Sequence, residues 1–579
     1  MFFFFEYGLI TIVIAATYFL PRFPSGWFQS AEKCLGRFAR RRTLAVFAVA
    51  ALALILRVAL LPNLPVPRPG IHDEFTYLLM GDTFAHGRLA NPTPPMWIHF
   101  ETFHIILKPT YVGLFYPAQG VVLALGQVIG GHPYVGVWLC AGAMCAAICW
   151  MLQGWLPPEW ALLGGMLAVI RLGTFSYWAN SYCLGALAAI GGALVLGALP
   201  RIRRRQRVRD SLFLGLGLAI LANSRPYESL FFSLPVGVAL CAWMLAAKGQ
   251  PLRRALLRIV LPLGLLLMAV AGCMAYYFWR TTGNPFLTPY RVFMNTYMTV
   301  PPFPWQHLNP THHYNHPVMA RFFQRDWQLY DYYHARRHPL DTFLEKVSDF
   351  WRFYLGPVLL LPLMAMVVIN PRQFLRKSLQ GKTGFLLIVC GATMIGMALP
   401  IYFLPHYAAP ITAAIYALLL QAMRYLRLWR RRGKRTGLAL VRAVPAICIL
   451  MFVLRAFAPQ LHIPTPIDWH NTWEADHFQN LDLAKATAQL ERLPGEQLVI
   501  VRYNRYHDTS NEWVNNRADI DKAKVVWARD MGDADNAELI RYFANRRVWL
   551  AEPDLAPPRL LPYPVQADPR ASTSAQATP

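Results

Sequence analysis

Apolar runs recur along this chain near residues 2–20, 43–62, 116–130, 136–152, 159–172, 177–199, 211–223, 227–247, 259–279, 353–370, 384–403, 407–423 and 438–457. Most approach the ~20 residues that carry a helix across a bilayer core, and one soluble core cannot bury so many. The pattern predicts a mainly α, polytopic membrane protein with about 12–13 transmembrane helices, several of them short or interrupted by Gly and Pro. Composition agrees, because 55% of residues are hydrophobic and only 15% charged, against ~25% in soluble domains. These values argue against a soluble enzyme and against a disordered or fibrous chain. The first run is followed by Pro21 and Arg22 with no small-residue cleavage site, so it reads as a retained span rather than a signal peptide.

The net charge is +25 and the pI about 9.9. In a soluble protein this balance would point to nucleic acid. The positions of the charges say otherwise. Basic residues collect in segments 21–42, 200–210, 248–258, 371–383 and 424–437, whose acids are only Glu32 and Asp210. The positive-inside rule makes these turns cytoplasmic, so the charge is a topology signal, and no nucleic-acid partner is expected. Residues 63–115, the turn at 223–228, residues 280–352 and everything after about 458 then lie outside. All 16 histidines fall in these stretches or in short outer turns. Segments 116–130 and 136–152 cannot both cross if 153–158 is cytoplasmic, so one of them is expected to re-enter. The nine cysteines lie in or beside apolar runs with no CxxC spacing, and read as small packing residues.

Residues 1–457 thus form a transmembrane domain with two large outer loops, 63–115 and 280–352. Residues 458–555 read as a small extracytoplasmic α/β domain. LVIVRY (498–503), KVVWAR (524–529) and RRVWLAE (546–552) are short buried strands by pattern, and 482–493 and 535–545 are amphipathic helices. Alternation of the two types predicts a small open parallel sheet, and no GxGxxG loop marks it as dinucleotide-binding. Residues 556–579, rich in Pro, Ala, Ser and Thr, read as a disordered tail.

The first outer loop concentrates the chemistry. Asp73 and Glu74 are adjacent acids just after a span, and the following FTYLLMGDTFAHG is helix-like. A carboxylate at the interface can serve as general base toward a hydroxyl or hold a divalent cation. Paired acids also cap helix starts, which is the plainer reading of the same residues. Asp82 and Glu101 add carboxylates, and Arg88, His104 and Lys108 supply positive charge for a phosphate. Arg225 in NSRPYE sits at an outer turn at membrane depth, where it either meets a lipid phosphate or snorkels as an anchor. Tyr227 and Glu228 accompany it. Tyr182 in WANSY and His406 with Tyr407 in LPHY are polar groups at helix ends that either line the same cavity or anchor an aromatic belt. His312, His313 and His316 in THHYNHP have HHxxH spacing, but Pro310 and Pro317 flank them and no close acid completes a site. In the tail, His507, Asp508, Glu512 and Asp530 follow strand ends, where open α/β sheets bind ligands and where loops are also capped.

The element Asp73-Glu74-Phe75-Thr76-Tyr77 after a first span, with the later G-R-L…P-P-x-W…F-E…P-x-Y…Y-P-x-Q-G stretch at 87–120, resembles the GT-C superfamily of membrane glycosyltransferases. The pattern is similar to an uncharacterised bacterial branch related to the lipid A aminoarabinose, protein O-mannosyl and arabinofuranosyl transferases. WANSY (178–182), NSRPYE (223–228), LPHY (404–407), 501–521 and 526–532 extend it over most of the chain. The resemblance implies transfer of a sugar from a polyprenyl-phosphate donor to a cell-envelope acceptor at the outer face of a bacterial inner membrane, with inversion. It implies Asp73 as base or metal-associated acid, with Glu74 assisting. Arg225, Lys108, Tyr227, Tyr182, His406 and Glu101 are the expected substrate and lipid-phosphate contacts. No cofactor is required, though a divalent cation such as Mg or Mn fits the expectation, with Asp73, Glu74, His312, His313 and His316 as its candidate ligands.

Two other readings start from the same residues. A lipid or glycan transporter would use the many spans, but charges are scarce at their centres and no inverted repeat is visible. A non-catalytic scaffold with an extracytoplasmic binding domain would leave Asp73 without a role.

Overall fold

The computed structural model describes residues 2–19, 25–183, 185–246, 250–325, 327–369, 371, 381–431, 433–467 and 472–563. Within them, eight helices are long and apolar enough to cross a membrane, or nine if Pro339–Tyr354 and Gly356–Ile369, bent by 104°, count as one. The sequence predicted more spans. The difference lies in apolar runs that fold as short helices. Ala118–Gly130 has 13 residues, Pro158–Arg171 has 14 and Val208–Ala222 has 15. At 1.5 Å per residue these are roughly 20–23 Å long, short of the ~30 Å core. Ala118–Gly130 ends at Gly131 with φ 72°, and Pro133–Trp155 follows at once as a full span. Of the two segments, the first is the one too short by length to cross.

Helices Pro133–Trp155, Gly185–Arg205 and Pro405–Leu426 form the centre of the bundle, each with more than half of its span window buried. Close approach needs small residues here. A Cβ on Gly192 would lie 1.9 Å from the Pro410 carbonyl oxygen, the kind of contact that membrane helices use in place of a hydrophobic driving force. Leu252–Thr282 is peripheral, only 6% buried, and presents Leu261, Leu265 and Met268 outward. An apolar face of that extent belongs against lipid. Glu6 and Arg171, both buried, pair at 2.5 Å, and the Arg171 guanidinium lies 4.4 Å from the Trp473 ring centre. Helix Phe2–Phe19 is thereby tied to the bundle and to the start of the tail.

Charge is sorted along the bundle axis. The Arg42 carbonyl accepts from Gln153, Arg201 donates to the Trp150 carbonyl, and Arg427 covers Trp160, so these basic turns gather at one end. Arg22, Lys248, Arg372, Arg376 and Lys377 belong to the same expected turns but lie outside the described residues. The loops bearing Asp73 and the tail pack together at the other end.

The tail contains a four-stranded sheet in the order β4-β3-β5-β6, built from β3 (Gln497–Val501), β4 (Val525–Arg529), β5 (Arg547–Glu552) and β6 (Arg559–Pro562). β3 pairs in parallel with β4 and β5, and helices Leu481–Arg492 and Asp533–Tyr542 flank it. A disordered segment from residue 556 onward is overturned for its first part, because β6 adds antiparallel to β5 with Leu550 opposite Leu561. A Pro-rich composition hid this strand, and edge strands tolerate Pro. Residues 564–579 lie outside the described residues. The sheet is docked rather than tethered. His99 Nδ1 bonds the Arg529 carbonyl at 3.0 Å, Ala518 N–H donates to Asp82 at 2.9 Å, and Tyr111 donates to the Asn516 carbonyl. Leu79, Phe100, Ile105 and Leu107 of the first loop share one apolar cluster with Leu498, Val526 and Leu539.

Candidate active site

Asp73 enters on the first turn of helix His72–Ala85. Its Oδ1 lies 2.7 Å from Nδ1 of His104, and both side chains are about a quarter exposed. His104 adopts φ 58°, a conformation that is rare for non-glycine residues and marks a position held by its surroundings. The restraint is visible. The His104 carbonyl accepts from Leu114 N–H and from Thr76 Oγ1, just outside the short hairpin of β1 (Ile105–Ile106) and β2 (Val112–Gly113). Gly113 lets that hairpin approach the helix, since a Cβ there would sit 2.6 Å from Thr76 Cγ2.

Asp73 and His104 open onto a cavity of about 430 Å³, whose other walls include Phe115, Tyr290, Tyr402 and Tyr407. Thr342, Glu345, Lys346 and Asp349, spaced along one face of helix Pro339–Tyr354, and Asp331 and His334 form a polar wall. Burial pushes the Asp73 carboxyl up, but the hydrogen bond with His104 and the electrostatic influence of the nearby His104 and His72 rings and of Arg225 outweigh it and hold it below its ordinary range. The neighbouring His72 ring is pushed down to about 3 by burial, with His104 adding to the effect. Asp331 moves the other way, to about 6, through burial and the Glu345 charge. The cavity thus holds an ionised carboxylate whose Oδ2 has no hydrogen-bond partner among the described residues, and a second carboxyl that titrates near neutrality.

Arg225 belongs beside this cavity but does not line it. It pairs with Glu228 at 2.7 Å, and its guanidinium lies 3.6 Å from the centre of the Tyr407 ring, which does line it. The charge therefore reaches the cavity through an aromatic wall.

Several expected contacts are elsewhere. Glu74 faces away from the cavity and is fully buried. Its carboxylate accepts from Gly70 N–H at 2.8 Å, Ile71 N–H at 3.3 Å and Tyr182 N–H at 2.9 Å, and meets His477 at 3.1 Å. Helix geometry explains the split, since consecutive positions point about 100° apart. Glu74 is a tie between loop, bundle and tail, not an assistant to Asp73. Glu101 is likewise buried, accepting from Tyr297 and Asn315, while its carbonyl accepts from Arg529. Lys108 lies over Trp97 at 4.1 Å and does not line the cavity. Tyr182 donates to the Pro67 carbonyl and Tyr227 to the Gly396 carbonyl, both as structural bonds. His406 is buried against Tyr177, and its neighbour Tyr407 takes the cavity position instead. That one-residue displacement follows from the 3-10 turn Pro405–Ile411.

The candidate cation ligands do not converge. His316 bonds the Ile98 carbonyl, His312 approaches the Met298 carbonyl and His313 is exposed. Among the described residues no three His, Cys, Asp or Glu side chains come together as a metal site. Among the described residues, no further His, Cys, Asp or Glu joins Asp73 and His104 to form a cation site. What sequence reasoning missed was the polar wall. Its signal was readable: 342, 345, 346 and 349 recur at helical spacing on one face.

Below the polar wall the surface changes character. Asp349 lines the cavity, and the next residue, Phe350, lines an apolar groove of about 360 Å³ with Leu363, Met366, Leu387 and Leu418. One helix, Pro339–Tyr354, thus contributes both to the cavity and to an apolar groove.

The molecule so defined is a polytopic helical membrane protein with a carboxylate–histidine pair in a cavity at one end. No family model matches the chain, and no curated protein matches it. Solved structures share part of its fold, at 11–12% identity and TM-scores below 0.5. The Archaeoglobus fulgidus oligosaccharyltransferase in complex with zinc and sulfate has a TM-score of 0.48 at 12% identity, over 88% of this chain and 67% of that chain. The same organism's AglB, bound to an inhibitory peptide and a dolichol-phosphate, has a TM-score of 0.43 at 12% identity, over 88% and 69%. ArnT from Cupriavidus metallidurans in the apo state has a TM-score of 0.48 at 11% identity, over 89% and 93%. These are partial likenesses of fold and assign no substrate.

Proposed function

We propose that this chain is an integral-membrane glycosyltransferase that moves a sugar from a polyprenyl-phosphate donor to a cell-envelope acceptor at the outer face of a bacterial inner membrane. The observation that carries the reading is the Asp73–His104 pair, at 2.7 Å, facing a cavity, with an apolar groove lined in part by the same helix, Pro339–Tyr354. The groove suits a polyprenyl tail and the cavity suits the phosphosugar. The basic turns at the far end of the bundle support a cytoplasmic side opposite the cavity. The tail sheet then lies outside.

In this reading the acceptor hydroxyl attacks the anomeric carbon, the new C–O bond forms, and the bond to the phosphate oxygen breaks with inversion. Asp73 takes the hydroxyl proton, and polyprenyl phosphate leaves as the anion. His104 holds the carboxylate in place and ionised. Arg225, polarising the Tyr407 wall, offsets the charge on the leaving phosphate.

The test is transfer from labelled polyprenyl-phosphate sugars to envelope extract by the protein in lipid, with Asp73→Asn beside it. Transfer by the wild type alone supports the reading. Equal transfer by both removes Asp73 from the chemistry. No transfer from any donor by folded protein favours the transporter or scaffold.

A further inference from the structure

A second cavity, of about 570 Å³, lies where the carboxyl ends of β3 and β4 meet helix Pro317–Gln324. Nothing in the transfer reaction uses it. Four arginines from three segments line it: Arg321 and Arg325 from the second long loop, Arg505 after β3, and Arg529 at the end of β4. Among the described residues one carboxylate lines it, Asp530, and that is already paired with Arg502 at 2.5 Å. The cavity is therefore cationic, at the sheet edge where open α/β sheets take ligands.

Two buried side-chain atoms in its lining have no hydrogen-bond partner among the described residues. Arg529 is 2% exposed. Its Nε donates to the Glu101 carbonyl and its Nη2 to Glu512, and its guanidinium lies 5.5 Å from the Tyr503 ring centre, but its buried Nη1 has no hydrogen-bond partner among the described residues. His507 is also 2% exposed. Its Nδ1 is held by Asp554 at 2.6 Å, while Nε2 is buried without a partner. A buried guanidinium N–H left unpaired is costly, and a missing ligand is a physical reason for it. A guanidinium is always charged, and its fork matches the oxygens of a phosphate.

The cavity is next door to Asp73. On helix Pro317–Gln324, Arg321 and Gln324 line this cavity, whereas Phe322 packs on His72 at 5.3 Å and on Phe103 at 4.4 Å. One helix separates the two chambers, and the tail supplies half of the second.

We propose that this cleft is a phosphate-binding site, formed jointly by the second long loop and the tail sheet, which captures a phosphoryl group on a ligand approaching the end of the molecule that bears Asp73. Arg325 and Arg505 draw the ligand in from solvent, and Arg529 Nη1 receives a phosphate oxygen at the floor. The site gives the docked tail a task that its fold alone does not explain. It stands independently of the transferase reading, because binding is measured without turnover.

The test uses the full chain in phosphatidylcholine nanodiscs, titrated calorimetrically with inorganic phosphate and with glucose 1-phosphate. A parallel arm measures occupancy of phosphatidylglycerol by native mass spectrometry in mixed-lipid nanodiscs. The variants are Arg325→Gln with Arg505→Gln, both at exposed positions, and Arg517→Gln as a control at an exposed arginine of the tail outside both cavities. Thermal unfolding checks that each is folded. Saturable binding of a soluble phosphate that weakens about tenfold or more in the double variant, and not in the control, is the expected result. Loss of bound phosphatidylglycerol from the double variant alone would identify a lipid headgroup as the source of the phosphate and equally support the site. No saturable binding in either arm, or binding unchanged by the double variant, would overturn it. Arg529→Lys provides a second check. It keeps the charge but removes the free fork nitrogen, and equal affinity in the folded variant would also refute the assignment.

Discussion

Replacing Glu74 with Ala should unfold the junction between loop, bundle and tail, not merely slow a reaction. Three backbone N–H groups, of Gly70, Ile71 and Tyr182, donate to this one buried carboxylate, and His477 reaches it from the tail. Each donor left buried without an acceptor costs about 1–3 kcal/mol. The three together amount to roughly 3–9 kcal/mol, comparable with the whole stability of a typical domain at about 5–15 kcal/mol. Glu74→Gln is milder, because its amide oxygen can still accept on one side. The assay is thermal unfolding of the protein in nanodiscs by tryptophan fluorescence, with limited proteolysis of the 458–480 segment. The expected order of stability is wild type, then Gln, then Ala, with faster cleavage of the tail segment in Ala. An unchanged unfolding temperature and cleavage pattern in Glu74→Ala, with transfer abolished, would refute this reasoning and return Glu74 to the chemistry.

Four further outcomes follow from the same geometry. Asp73→Asn should lower sugar transfer by about 10²–10⁴-fold at unchanged unfolding temperature, the scale of a lost general base. The Asp73 carboxyl is held below its usual range by His104, and the base works as the anion. Transfer by the wild type should therefore persist as pH falls and fail only below the ordinary carboxylate range near ~4. His104→Ala should move that acidic limb upward in a pH–rate profile. Asp331, raised to about 6 by burial and Glu345, gains its negative charge above that pH. The KM for an anionic donor should rise there, and Asp331→Asn should flatten the dependence. Arg171→Ala leaves Glu6 buried and unpaired, and should cost about 3–5 kcal/mol of stability, read as a lower unfolding temperature.

The sequence by itself determined what depends on local periodicity and on the cost of placing charge in lipid. Apolar runs specified a helical membrane bundle, and the Arg-rich turns marked one end of it. LVIV and VVWA specified buried parallel strands, found at Gln497–Val501 and Val525–Arg529. Asp73 was legible only as a candidate, because paired acids on a first helical turn also serve as caps. Tertiary structure alone decided which neighbours share a cavity. Asp73 and Glu74 are adjacent in sequence, but the helix turns one toward the cavity and the other into a buried knot with Tyr182 and His477, 108 and 403 residues away. His406 and Tyr407 exchange roles for the same reason. The partner of Asp73, His104, lies 31 residues on, presented by a hairpin too short to register as one. Arg321 of the second loop meets Arg505 and Arg529 of the tail only because the sheet docks beside that loop. Periodicity records which face of an element is apolar, whereas the joining of distant polar faces is set by packing between elements, which a linear pattern does not contain.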